Sequence, residues 1–508
     1  MSLAKVNSAA VIGLECEPVE VEVDISPGLP SFLIVGLPDK AVEESRERVR
    51  SAIKNSGAAF PTKRITLNLA PADLKKEGPS YDLPIAVGIL LSSEQIDFEP
   101  KDVLFLGELS LNGEVRHTNG VLPIVDYAKH KGIKTVFLPQ ANIYEASLIK
   151  DIELIPVKNL KDLVFHFRNE KKLIPFKSNV EIENNDKEYE YDMAYIKGQD
   201  HVKRALEIAA TGGHNIFMVG PPGSGKTLLA RTVPSILPKM NFDEIIEATK
   251  IYSITGLLTR NFLVTQRPFR NPHHTASDIA LVGGGQWPKP GEISLAHRGV
   301  LFLDEFPEFP RQVLEVLRQP LEDGVINIAR ATGTCSFPAN FILIAAANPC
   351  PCGYFNDPKK DCSCSPSQVV KYRKKISGPL LDRIDIQIDV PRMSYEKLTN
   401  EKVAESSSEI RKRVQSGHEM QKQRFVGTKI KNNAEIGVKD INRYCMINEE
   451  SKNLLRSAID QLNLSARTYH RILKLARTIA DLANSEKIET THVAEAIQYK
   501  PKDQNEFI

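Results

Sequence analysis

Eight consecutive residues, Gly220-Pro221-Pro222-Gly223-Ser224-Gly225-Lys226-Thr227, carry the clearest chemistry in the chain. The glycines let backbone N–H groups wrap a run of phosphates, and a helix opening at the lysine adds its positive dipole end. Lys226 would then reach the β- and γ-phosphates, and the Thr227 hydroxyl would ligate Mg²⁺. A second element must hold the metal and aim water. Val300-Leu301-Phe302-Leu303 is apolar and runs into Asp304-Glu305. Asp304 suits the Mg²⁺ shell and Glu305 suits polarising the attacking water. Together these residues predict binding and hydrolysis of ATP with Mg²⁺. A second cluster is made of sulfur: Cys350, Cys352, Cys362 and Cys364 form two C-x-C pairs. Four thiolates satisfy tetrahedral Zn²⁺. The usual knuckle is C-x₂-C, so reduced cysteines packed in a loop and a redox switch stand beside structural zinc as readings. No His/Glu set accompanies them that would make an open, catalytic zinc.

These groups need a scaffold that brings several strand ends together. Between 193 and 392 four apolar strands are expected, at 215–219, 299–303, 341–347 and 384–390, with helical stretches between them. Apolar strands separated by helices imply a parallel sheet buried on both faces. The first of them feeds the glycine-rich loop, and the helical Leu228-Leu229-Ala230-Arg231 follows it, the order a phosphate loop requires. Residues 1–176 mix short strands (19–25, 32–35, 64–69, 103–107, 135–138) with helices (40–56, 84–91, 124–131), an α+β pattern. Residues 177–192 read as a linker, polar and acidic with no apolar period. From 393 to 508 the chain reads as helical. It includes a charged stretch at 395–425, a helix at 465–484 with Ile472, Leu475, Ile479 and Leu482 on one face and Ser465 as N-cap, and a last helix at 490–498.

At 508 residues the chain is too long for one core and suits about three domains. Lys+Arg 66 against Asp+Glu 64 leaves a net charge of +2, so any nucleic-acid surface must come from local arrangement. No stretch approaches the roughly 20 apolar residues of a membrane helix, and the N-terminus lacks an apolar signal core. The expectation is a cytoplasmic protein without a membrane partner, its cysteines reduced or metal-bound.

The phosphate loop and the Asp304-Glu305 pair resemble those of the AAA+ ATPases. The resemblance implies that Asn348, after the strand at 341–347, is the sensor-1 residue that positions the lytic water. Gly378-Pro379-Leu380-Leu381-Asp382-Arg383-Ile384-Asp385 is similar to the arginine-finger segment, so Arg383 would reach the γ-phosphate bound by a neighbouring subunit. Arg467 sits where a sensor-2 arginine is expected, and Ile196-Lys197-Gly198-Gln199 resembles the loop covering the adenine. The runs Arg267-Pro268-Phe269-Arg270-Asn271-Pro272-His273-His274-Thr275-Ala276-Ser277, Leu281-Val282-Gly283-Gly284-Gly285 and Pro290-Gly291-Glu292-Ile293-Ser294-Leu295-Ala296-His297 narrow the likeness. With Asn348-Pro349-Cys350-Pro351-Cys352-Gly353 they resemble the ComM/YifB family of magnesium-chelatase-like proteins over essentially the whole chain. The resemblance implies a hexameric ring that binds DNA, single-stranded or branched, and drives branch migration during natural transformation. The other reading is a protein-remodelling ATPase, like the magnesium-chelatase motor, that does not act on DNA.

Residues 324–337 read as a β-hairpin with Ala331-Thr332-Gly333 near the turn. The resemblance places it in the ring's pore, with Arg330 near the tip as a phosphate contact; an ordinary surface hairpin is the alternative. His273 and His274 are adjacent. On a strand they would face opposite ways, which makes a shared metal awkward, and they receive no role. In the first domain, Lys76-Glu77-Gly78-Pro79-Ser80, Gly113-Glu114-Val115 and the 132–139 stretch resemble Lon-type proteases, with an S5-like α+β fold. A Lon-type Ser–Lys dyad needs a lysine as base. Counting back from 132, that position holds Leu122, and Tyr81-Asp82 replaces the small residues expected after Ser80. The domain is expected to be proteolytically inactive.

Overall fold

The computed structural model of the chain describes residues 3–177, 189–258, 263–285, 288–330, 333–393, 404–462 and 464–500, with only the backbone at 330. Two compact units emerge: 1–185 with 242–264, and 186–241 with 265–508. The chain therefore crosses between units three times. The excursion is the helix Phe242–Thr255, which leaves the ATP-site half of the sequence and completes the first unit. Its Ile245, Ala248 and Ile251 are buried, and Ile246 and Leu263 pack on an apolar cluster around Leu122, Val125 and Leu138. Lys250 Nζ meets Asp126 Oδ2 at 2.6 Å, and the Gly120 N–H donates to the Ser253 carbonyl at 3.0 Å.

The first unit is built on a seven-stranded sheet. Its spatial order is Ser31–Val35, Arg64–Ala70, Glu15–Ser26, Ala4–Ile12, Val103–Phe105, Thr135–Pro139, Glu153–Val157. Ala4–Ile12 and Glu15–Ser26 form an antiparallel pair in which Val19, Val21, Val23 and Ile25 alternate inward, the period-2 pattern of a sheet with one covered face. The covering helix Asp82–Ser92 is buried over almost its whole length, as its unbroken apolar run predicts. Gly88 lets it approach the sheet: a Cβ there would lie 2.7 Å from Val23 Cγ2.

The segments around Asp82, Leu122 and Lys76 are packed into the interior. Asp82 is fully buried and accepts from Arg48 Nε at 2.6 Å and from the Leu109 N–H at 3.1 Å. Burial pushes its carboxyl up to about 6, against the pull of the Arg48 guanidinium. Leu122 is fully buried within the helix Val121–His130. Lys76 is buried too, its ammonium donating to the Pro71 carbonyl.

The second unit holds a five-stranded parallel sheet. The order is Phe269–Arg270, Val300–Leu303, Ile342–Ala347, Ile216–Val219, Ile386–Asp389. The four apolar strands read from the sequence are all present. The fifth, at the edge, is two residues long and carries too little periodicity to announce itself. The expected hairpin pairs Val325–Arg330 with Gly333–Pro338 and buries Ile326, Ile328, Cys335 and Phe337; the Arg330 side chain lies outside the described residues, as do 178–188 of the acidic linker. In the charged 395–425 stretch the described helix is Ser407–Arg424. Ser465 does cap Ala466–Leu482, accepting from the Thr468 N–H. One apolar cluster runs from Ile216, Phe302, Ile344 and Ile386 of the sheet into Ile472, Leu475 and Ile479 of that helix, so the C-terminal helices share the core of the sheet.

Candidate functional site

All five strands point the same way, so the sheet has one C-terminal edge, and the phosphate loop springs from it after Val219. The neighbours in the sheet then dictate what faces the loop. The adjacent strand Ile342–Ala347 delivers Asn348, and the next one out, Val300–Leu303, delivers Asp304 and Glu305. Gly220 must be glycine, because a Cβ would stand 2.2 Å from the Val390 carbonyl oxygen. Gly223 and Gly225 have φ of +76° and +92°, conformations that other residues resist.

Lys226 opens the helix Lys226–Ile236 and folds back over the loop. Its Nζ donates to the carbonyls of Gly220 (2.6 Å) and Pro221 (3.0 Å) and to Asn348 Oδ1 (3.3 Å). Burial lowers its ammonium to about 8, partly opposed by the Asp304 carboxylate. The Thr227 hydroxyl donates to Asp304 Oδ2 at 2.7 Å. A hydroxyl and a carboxylate in contact, beside the phosphate cradle, are the oxygen donors a small hard cation takes, so the residues fit Mg²⁺. The Asp304 Oδ1 accepts the Glu305 N–H at 2.9 Å. Glu305 itself sits at φ 51°, ψ 42°. That left-handed conformation costs a residue with a Cβ about 1 kcal/mol or more, and it turns the side chain out of the strand direction, leaving it exposed.

One partner of Glu305 was not legible in the sequence. His274 Nδ1 stands 3.0 Å from Glu305 Oε2. The His273–His274 stretch is not a strand, so the opposite-face argument does not apply; the two rings lie 4.2 Å apart, and His273 Nδ1 meets Thr275 Oγ1 at 2.9 Å. The contact depends on His274 following an edge strand that lies beside the Asp304-Glu305 strand, a pairing with no sequence signal. Gln199, from the loop expected over the adenine, has φ +59° and donates to the Pro391 carbonyl at 2.7 Å and the Ser224 carbonyl at 3.5 Å, closing over the phosphate loop.

The two arginines stand elsewhere. Arg383 precedes the strand Ile386–Asp389, whose Ile386 pairs with Ile216 at the start of the phosphate-loop strand. It therefore lies at the N-terminal edge of the sheet, a strand's length of about 13 Å from the edge that holds Lys226. Its Nη1 donates to the Pro379 carbonyl at 2.7 Å and its Nη2 pairs with Glu322. Arg467 opens the helix Ala466–Leu482, and one turn on Arg471 Nη1 approaches Asp385 Oδ1 at 3.5 Å. Arg467 is thus on the same edge. Glu322 reports the grouping: the Arg383 hydrogen bond, then the charges of Arg383, Arg467 and Arg471, hold its carboxyl below the usual range. The helix is anchored there by His214, which meets Asp385 Oδ2 at 3.3 Å and Thr478 Oγ1 at 2.7 Å. The four expected cysteine ligands converge: their sulfurs all lie within 4.8 Å of one another.

Comparison with known proteins agrees with this geometry. Residues 192–398 match the family model for magnesium chelatase, subunit ChlI; residues 21–142 match that for subunit ChlI of Mg-chelatase; residues 404–500 match that for its C-terminal part. The chain is 45% identical to competence protein ComM of Haemophilus influenzae, covering 98% of each chain. It is 40% identical to YifB of Escherichia coli over 99% of this chain and 98% of YifB. More distantly, 41% of the chain is 26% identical to 24% of DNA helicase MCM8 of Bos taurus. Among the described residues no helix is long and apolar enough to cross a membrane. A phosphate loop on the fourth of five parallel strands, its carboxylates two strands away, and matches that span nearly the entire chain make it a member of the ComM/YifB family of magnesium-chelatase-like AAA+ ATPases.

Proposed function

We propose that the chain is an ATP-driven motor that assembles into a ring, hexameric as the family resemblance implies, and moves branched DNA during recombination of incoming strands in natural transformation. One observation carries the ring: Lys226, Thr227, Asp304, Glu305 and Asn348 occupy one edge of the sheet, while Arg383 and Arg467 occupy the other. A nucleotide on one chain is completed only when a second copy presents its arginine edge. Both arginines then act in trans, and Glu322 holds their place until the γ-phosphate of the neighbour replaces it. In the step itself Glu305 accepts a proton from water as the oxygen attacks the γ-phosphorus, Asn348 orients that water, and ADP departs. Thr227 and Asp304 would hold Mg²⁺, which would supply positive charge against the phosphate oxygens. Guanidinium groups from the neighbour spread the remaining charge.

The DNA half of the reading is supported by the resemblance to a competence protein and to a DNA helicase, and by the hairpin Val325–Arg330/Gly333–Pro338 with Arg330 beside its turn. The magnesium-chelatase name of the matching models supports the competing reading, a motor that remodels a protein. ATPase rates with and without single-stranded and four-way-junction DNA separate them. The motor reading expects stimulation by DNA and junction migration, both weakened in Arg330→Ala with basal ATPase kept and a shallower salt dependence. A wild-type protein that neither binds DNA nor moves a junction leaves protein remodelling as the function.

A further inference from the structure

Between the strand Ile342–Ala347 and the helix Pro366–Arg373 lie eighteen residues, 348–365, with no helix or strand among them. Long stretches without regular structure are uncommon inside compact domains. This one has almost no apolar core of its own: Cys350 is its single fully buried hydrophobic residue. What converges in it is sulfur. Cys350 Sγ lies 3.4 Å from Cys352 Sγ and 3.7 Å from Cys362 Sγ, and Cys352 and Cys362 are 3.5 Å apart. A disulfide needs about 2.05 Å. A tetrahedron of thiolates around zinc, with Zn–S of about 2.3 Å, has edges of about 3.8 Å. Two backbone donors point at the sulfurs: the Cys352 N–H at Cys364 Sγ (3.4 Å) and the Phe355 N–H at Cys350 Sγ (3.3 Å). Donors aimed at ligand sulfur are what a cage of anionic thiolates requires around it. The remaining cysteines, Cys16, Cys335 and Cys445, stand outside the stretch.

The stretch touches the nucleotide site at two points. It begins at Asn348, the acceptor of Lys226. Gly353, next to Cys352, lies so close to the phosphate loop that a Cβ would be 2.6 Å from Pro222 Cγ and Cδ. A third tie, Asp357 to Arg392 at 2.8 Å, reaches the chain just beyond the strand Ile386–Asp389. A loop this poor in apolar packing cannot hold Asn348 and Pro222 in register without a cross-link.

We propose that Cys350, Cys352, Cys362 and Cys364 bind one zinc ion in a closed tetrahedral site, and that this metal is the fold of the 348–365 segment, fixing Asn348 and the Pro222 side of the phosphate loop. The zinc part stands on the sulfur geometry alone; the positioning part rests on the nucleotide site and is independent of DNA. The test uses full-length protein purified under reducing conditions without chelators. Elemental analysis is expected to give about one zinc per chain and no iron. Cobalt exchanged for the zinc is expected to show the intense visible bands of tetrahedral sulfur ligation. Cys362→Ser/Cys364→Ser is expected to lose the metal, while Cys16→Ser, in the other unit, keeps it. Zinc stripped from the wild type is expected to weaken binding of a fluorescent ADP analogue by about tenfold, the equivalent of one lost positioning contact, with restoration on adding zinc back. Absence of metal, iron in its place, or zinc retained by the double variant overturns the site. Metal loss with unchanged ADP affinity overturns its positioning role.

Discussion

Nucleotide binding should be coupled to proton uptake at Lys226, and the size of the coupling follows from its burial. In the nucleotide-free protein the ammonium has no phosphate partner; it donates to two carbonyls and the Asn348 amide, and burial lowers it from 10.5 to about 8. At about 1.36 kcal/mol per pH unit that gap is at most about 3 kcal/mol. The sign follows from the lowered value. The unfolded chain keeps its proton to about 10.5 while the free native protein releases it near 8, so this group's contribution to stability rises between those pH values. Phosphates of ATP favour the charged form, so binding above pH 8 must draw a proton from solvent. At pH 9 the free site is about nine-tenths neutral, and uptake should approach 0.9 proton per site, with affinity falling by close to tenfold per pH unit. Isothermal titration at pH 9 in two buffers of different ionisation enthalpy measures the uptake directly. Lys226→Met should bind more weakly and with this uptake gone. An uptake near zero in the wild type, or an equal uptake in Lys226→Met, would refute the assignment of a buried, phosphate-seeking ammonium.

Other outcomes follow from the same geometry. Glu305→Gln should retain ATP affinity and lose at least about a hundredfold in turnover, read by single-turnover hydrolysis. His274→Ala should change basal ATPase by no more than about fivefold, because its contact with Glu305 is a single, partly exposed one; a much larger loss would put His274 in the chemistry. Arg383→Ala and Arg467→Ala should bind ATP and hydrolyse it about a thousandfold more slowly. Mixing either with Glu305→Gln should recover activity at composite interfaces, and failure to recover any would remove the action in trans. Asp385→Ala should cost about 3 to 5 kcal/mol in urea unfolding at neutral pH, since His214, Arg471 and Lys500 lose their shared carboxylate. The Arg471, His214 and Lys500 charges hold that carboxyl well below the usual range in spite of burial, so the penalty should persist at neutral pH and shrink only in strong acid.

The phosphate loop was legible in the residues alone. Gly220–Thr227 needs only its own backbone and the strand before it, and that local dependence made it legible. The strands at Val300–Leu303, Ile342–Ala347 and Ile386–Asp389 were legible for a related reason: a strand buried on both faces is apolar throughout. The Ser465 cap and the hairpin pairing of Val325–Arg330 with Gly333–Pro338 were likewise written in neighbouring residues. Which edge or which unit a segment joins was not legible in the same way. The arginines could be named from motifs, but only the parallel sheet places Arg383 and Arg467 on the edge away from Lys226. The pairing of His274 with Glu305 depends on a two-residue strand docking beside Val300–Leu303, too short to leave a pattern. The assignment of the helix Phe242–Thr255 to the first unit follows from which apolar surface receives its Ile246 and the Leu263 beyond it. Periodicity reports that a face is buried, and the partner that buries it is chosen by long-range packing that no local window contains.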